Sequence, residues 1–165
     1  MKTVSHSTAK AEKPLKNDGK GDCSNMANIT ILGSGGFGLS LALSAYRSGH
    51  KVKVWSKFSD ELEAIRRDGE HKQKLPGVPV PPEIELSDDL DCITGCDVVI
   101  FGIPSRFVRD TVRLAAPYIT SPMIVVNTGK GLEEGSLKTL SQVFSEELPA
   151  DIPVVTLTGP SHAEE

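Results

Sequence analysis

Three glycines, Gly33, Gly35 and Gly38, follow the apolar run Ile29-Thr30-Ile31-Leu32 and precede a stretch whose apolar residues recur with helical spacing. A G-x-G-x-x-G spacing alone is common among turns. Between a strand and a helix it becomes the fingerprint of a dinucleotide-binding turn. Gly33 frees the tight exit from the strand, Gly35 clears the backbone's approach to a pyrophosphate, and Gly38 lets the helix pack closely on the sheet. The helix beginning here offers unpaired N–H groups and a partial positive charge to phosphates. Leu39, Ala42, Leu43 and Tyr46 supply its buried stripe, and Gly49 is the expected stop. A glycine-rich turn that binds nothing is the plain alternative.

The 165 residues, 38% of them hydrophobic, suffice for one core and are too few for two full domains. With 18 basic against 22 acidic residues the net charge is −4, which points to no nucleic-acid surface yet permits a local anion site. No apolar run approaches the ~20 residues that span a bilayer, so membrane insertion is not expected. Cys23, Cys92 and Cys96 lack zinc-type pairing and suit a reducing, cytoplasmic compartment. Cys92 and Cys96 are expected as buried small hydrophobes rather than metal ligands.

Residues 1–25 are rich in Lys, Ser, Gly and Asp with almost no large apolar side chain, and are expected to be a disordered tail. They lack the apolar core of a secretory signal, and Met26 stands where translation could begin. From 26 to 165 apolar runs alternate with helix-periodic segments. Strands are expected at 29–32, 51–55, 97–101, 122–126 and 153–157, and helices at 59–68 and 104–116. A further helical stripe runs through Leu137, Leu140, Phe144 and Leu148. Four prolines between 70 and 85 predict a long irregular loop, with a short strand at 83–86. The class expected is α/β: a Rossmann-type, doubly wound, mainly parallel sheet with helices on both faces.

In such sheets the ligand lies outside the carboxyl ends of the strands. After the second strand comes Trp55-Ser56-Lys57, where an acid would normally hold the ribose 2′-hydroxyl of NAD. No acid stands there; a hydroxyl followed by a lysine suits a 2′-phosphate, which tilts the expectation toward NADP or dual use, with an ordinary polar strand end as the equal alternative. Lys130, between Gly129 and Gly131, is a compact charge for a substrate phosphate or carbonyl, or else a solvated loop lysine. The last segment, from Thr158, brings small residues and backbone amides, and its His162 is a ligand contact or simply a packed or exposed histidine.

Four separated blocks, GSGGFG, VWSK, NTGKGL and TGPSHAEE, make the chain from about Ile29 to Glu165 resemble the N-terminal domain of the bacterial-type NAD(P)-dependent glycerol-3-phosphate dehydrogenases. The resemblance implies a cytoplasmic oxidoreductase that reduces dihydroxyacetone phosphate to sn-glycerol 3-phosphate with NAD(P)H, supplying glycerophospholipid synthesis. It implies dinucleotide contacts at Gly36 and Phe37, where the family often shows Ser and Trp, and at Lys57 and Phe58, where it tends to have His or Arg. A slight preference for NADPH would then rest on Lys57. By the same resemblance Lys130 reaches both cofactor and substrate, Gly159 and Ser161 contact substrate, and Ala163 contacts cofactor. The family's second, helical domain carries the general acid/base lysine and the substrate-phosphate ligands, and the full-length enzyme is expected to form a homodimer. None of that domain's residues lies within this sequence, so a truncated chain is expected, binding dinucleotide better than it turns over. Loss of a positioned proton donor typically costs ~10²–10⁴-fold. Other readings are another reductase of the same superfamily, and a stand-alone or remnant dinucleotide-binding module.

Overall fold

The structure is a computed structural model that describes residues 26–159. The tail expected at 1–25, and the segment with Ser161, His162 and Ala163, lie outside the described residues. The chain runs β1 (Asn28–Leu32), α1 (Gly36–Arg47), β2 (Lys51–Trp55), α2 (Ser59–Asp68), β3 (Glu70–His71), β4 (Leu75–Pro79) and β5 (Glu85–Ser87). It continues through β6 (Val98–Phe101), α3 (Val108–Ala115), β7 (Ile124–Asn127), α4 (Leu140–Glu147) and β8 (Val154–Thr156).

Six strands form one sheet in the order β5-β2-β1-β6-β7-β8, and every pairing is parallel. Ile31 of β1 sits in register between Val54 and Ile100. The first three sheet strands are laid down outward from β1 in one direction and the next three in the other, so the order reverses between β1 and β6. That reversal opens a crevice beyond the carboxyl ends of the two strands.

The period of two in the strands explains the layers. Ile29 and Ile31 face Leu39, Ala42, Leu43 and Ile65 of α1 and α2. Leu32, Val99, Phe101 and Val125 face Val108, Val112, Val143 and Phe144 of α3 and α4. The helices therefore cover both faces. Phe101 and Phe144 meet edge to face with centroids 4.9 Å apart, the geometry aromatic pairs prefer. Cys92 and Cys96 are buried in the same cluster, and burial pushes the Cys92 thiol up to about 11. None of the described helices is long and apolar enough to cross a membrane.

Several expectations need correction. The first part of the proline-rich segment, 70–79, is a small antiparallel hairpin, β3 with β4, rather than an irregular loop; 80–84 is irregular, and the short strand expected at 83–86 comes at Glu85–Ser87. Pro76 and Pro79 fit because a two-stranded ribbon leaves each strand an unpaired edge where a missing N–H costs little. The stripe through Leu137 is not one helix: Leu137 has φ 55 and is 74% exposed. The helix begins at Leu140 because Thr139 caps it. The Gln142 N–H donates to Thr139 Oγ1, and the Gln142 side chain accepts the Thr139 N–H. The segment 104–116 starts with a 3₁₀ turn at Ser105–Phe107, so α3 proper is shorter than expected. Tyr46 is only partly buried.

Candidate dinucleotide site

The crevice at the strand reversal is built from backbone. The Gly33 N–H donates to the Trp55 carbonyl and the Gly102 N–H to the Leu32 carbonyl, each at 2.8 Å, tying the end of β1 to both neighbours. Gly33 has φ 122, and a Cβ there would stand 2.5 Å from the Gly102 carbonyl oxygen. A Cβ on Gly38 would stand 2.1 Å from the Gly33 carbonyl oxygen. Neither position admits a side chain without backbone movement. Gly35 is different: it precedes α1 with ordinary φ of −66° and meets nothing within 4 Å. The N-cap residue is Gly35, which has no side chain, and among the described residues no side-chain cap is made, so the first N–H groups of α1 face the space before Gly35.

Beyond the loop lies a cleft of about 440 Å³ lined by Gly33, Gly35, Ser56, Lys57, Phe58 and Phe107, among others. Lys57 Nζ lies 5.1 Å from the Phe58 ring centroid and 4.8 Å from that of Phe107, and the Arg106 guanidinium lies 4.7 Å from the Phe107 centroid. A roomier cleft of about 540 Å³ opens at the amino ends of the strands, around Asn28, His50 and Cys96. It touches none of the glycine loop, so its size does not make it the ligand site.

One carboxylate organises the inner wall. Glu61, in the first turn of α2, accepts the hydroxyl of Ser34 from the glycine loop and, at 3.5 Å, that of Ser56 on the same oxygen. Its other oxygen takes the Lys74 ammonium and lies 2.8 Å from His71 Nε2. His71 Nδ1 accepts the Lys74 N–H, which leaves Nε2 as the protonated nitrogen that donates to Glu61. Burial alone would raise the Glu61 carboxyl, but the hydrogen bonds from Lys74, Ser34 and His71 outweigh it and hold it at about 2. The hairpin that carries His71 and Lys74 is thereby locked onto the glycine loop. A Cβ on Gly36 would stand 2.4 Å from the Lys74 carbonyl oxygen, so this glycine is needed for hairpin packing.

Lys130 and Gly159 follow β7 and β8, at the same carboxyl edge of the sheet but outside the lining of the cleft. The Gly129-Lys130-Gly131 loop is fixed on both sides. Upstream, Asn127 Oδ1 accepts the Gly129 N–H at 3.0 Å and Thr128 Oγ1 donates to the Phe101 carbonyl at 2.8 Å. Downstream, Arg109 of α3 forks onto Glu133 at 2.5 and 2.8 Å and also binds Glu146 and Glu147 of α4. Arg109 and Ser136 hold the Glu133 carboxyl at about 2.

Of the residues expected from sequence, the structure gathers Gly33, Gly35, Lys57 and Phe58 around one cleft. Gly36, Phe37 and Gly38 stand in the adjoining first turn of α1, with Phe37 53% exposed. Sequence reading missed Glu61, His71, Lys74, Arg106, Phe107 and Arg109. For Glu61 a signal existed: with Asp60 it is one of two acids in the first turn of the helix that follows β2, the strand at whose end such folds place the ribose-binding acid.

Comparison with known proteins agrees with this geometry. The family described as NAD-dependent glycerol-3-phosphate dehydrogenase N-terminus matches residues 28–165. A glycerol-3-phosphate dehydrogenase [NAD(P)+] of Desulfitobacterium hafniense is 41% identical over 140 residues, covering 85% of this chain and 40% of the relative. That of Bacillus subtilis is 36% identical over 143 residues, covering 85% and 41%. The crystal structure of glycerol-3-phosphate dehydrogenase from Coxiella burnetii superposes with a TM-score of 0.76 at 30% identity, over 83% of this chain and 42% of that one. The chain thus spans about two fifths of the length of the curated relatives it matches.

Proposed function

Because the chain belongs to the NAD-dependent glycerol-3-phosphate dehydrogenase family, as its N-terminal part, we propose that it supplies the dinucleotide-binding half of an enzyme interconverting dihydroxyacetone phosphate and sn-glycerol 3-phosphate. The observation that carries this reading is the meeting of Gly33, Gly38 and Gly102 at the strand reversal, where a Cβ on Gly33 or Gly38 would collide with backbone. That backbone cradle, ahead of an uncapped helix N-terminus, fits the pyrophosphate of NAD or NADP. When bound, the dinucleotide supplies or takes up the hydride.

The chain's own residues bind and orient. The loop from Gly33 to Gly38 and the first turn of α1, with Gly36 and Phe37, hold the pyrophosphate. Ser56, Lys57 and Phe58 meet the adenosine end, and NADPH is slightly favoured on the charge of Lys57, supported by Arg106 beside the same Phe107 ring. Lys130 attracts the substrate phosphate or carbonyl oxygen and stabilises the alkoxide that grows on reduction. Gly159 and Ser161 contact the substrate and Ala163 the cofactor. The proton donor is assigned to the length the relatives carry beyond the matched part, as is assembly into a homodimer. The enzyme acts in the cytoplasm.

The test is oxidation of NADH and NADPH by dihydroxyacetone phosphate, measured for the chain and for the chain joined to the unmatched C-terminal part of the Bacillus subtilis relative. The joined polypeptide turns over, the chain alone far less, and Lys130→Ala lowers kcat/KM of the former about 10²-fold or more. Absence of reduction with either cofactor, or an unaffected Lys130→Ala enzyme, overturns the assignment.

A further inference from the structure

Folds of this topology place an acid at the end of the second strand to accept the ribose 2′-hydroxyl, or a cation where the cofactor carries a 2′-phosphate. Here the position after β2 is Ser56, and the cations Lys57 and Arg106 stand beside the cleft, with a third, Lys74, already paired to Glu61 Oε1. The fold nevertheless delivers an acid to that place from α2. Glu61 Oε2 lies 3.5 Å from Ser56 Oγ, and both residues line the cleft.

The hydrogen bonds of the carboxylate are unequal. Oε1 is engaged by His71 and Lys74, and Oε2 by Ser34. The contact with Ser56, at the outer limit of a hydrogen bond, is the weak one. A carboxylate has about four acceptor sites, so the direction toward Ser56 is the one with capacity left. It is also the direction of the strand end at which the ribose sits in this topology.

We propose that Glu61 is a cofactor-specificity residue: ionised beside Ser56, it accepts the 2′-hydroxyl of NAD(H), opposes the 2′-phosphate of NADP(H), and so counterweighs Lys57 and Arg106. The site stays open to both cofactors through this balance. The inference rests on the reading that the cleft binds the dinucleotide.

The experiment is titration of NADH and NADPH, by fluorescence or calorimetry, into the wild-type chain and Glu61→Gln, with thermal melting as a check on folding. Glu61→Gln raises the NADPH-to-NADH affinity ratio about tenfold or more, since it removes one like charge from the phosphate and weakens one charge-assisted acceptor for the hydroxyl. A purely structural Glu61 would weaken both cofactors alike, and a ratio unchanged within about twofold overturns the proposal. If Glu61→Gln does not fold, the 2′-deoxy analogue of NADH decides with the wild-type chain. Binding about tenfold weaker than NADH supports the proposal, and equal binding overturns it. If both natural cofactors bind with an unaltered ratio, only the role of Glu61 falls; if neither binds the wild-type chain, the cleft reading falls and takes this inference with it.

Discussion

Gly33 and Gly102 face each other across the strand reversal so closely that a Cβ on Gly33 would stand 2.5 Å from the Gly102 carbonyl oxygen. This contact brings the loop after β1 against the loop after β6, and the cleft exists because nothing larger than hydrogen stands between them.

Gly33→Ala and Gly35→Ala therefore part company. Alanine at 33 collides with backbone and must adopt φ 122, so the protein loses about 1–3 kcal/mol or more of stability and melts early. Alanine at 35 meets nothing within 4 Å and has a permitted φ of −66°, so melting changes little. Its methyl instead occupies the approach of the pyrophosphate, and NADH affinity falls about tenfold or more. Paired melting and titration curves of the two variants check this.

Stability depends on pH through carboxyls held low. Glu61 and Glu133 each sit at about 2 against an ordinary 4.5. As pH falls the unfolded chain binds these protons first, so their contribution is complete above about 4.5 and is lost on the way down to about 2. Melting temperature should hold near neutrality, then drop across that window. Glu61→Gln should flatten the drop.

Arg109 holds Glu133, Glu146 and Glu147 together, joining the loop after Lys130 to α3 and α4. Arg109→Ala removes the charge that Glu133, Glu146 and Glu147 share, leaving Lys138 on Glu146 and Arg113 on Glu147 as the remaining cations. It melts below the wild type at low salt, and the gap narrows as salt screens the repulsion among the carboxylates. A gap independent of salt would show that packing, not charge, is what Arg109 contributes.

Cys92 and Cys96 are both buried, with thiols raised by desolvation. In a Cys23→Ser background, a thiol reagent at mildly alkaline pH labels almost nothing until denaturant is added. Prompt labelling of folded protein would contradict their packing.

What the sequence disclosed was what local rules encode. The bounds of β2 and α2 were readable because Gly69, left-handed at φ 70, punctuates the helix end and the strand between Lys51 and Trp55 has no competing period. Leu137 misled because helical spacing continues upstream of Thr139, although the T-x-x-Q pattern from Thr139 to Gln142 marked the true start. The hairpin was hidden by its prolines. Glu61 was legible only as a helix-opening acid; its convergence with Ser34, Ser56, His71 and Lys74 is tertiary, and no local period reports it.

The most direct measurement is a titration of the wild-type chain with NADH and NADPH, set beside Gly35→Ala. The dinucleotide-binding account predicts saturable binding of at least one cofactor at micromolar concentration, weakened about tenfold or more in a variant that still folds. No binding below millimolar concentration, or equal binding by Gly35→Ala, would contradict it.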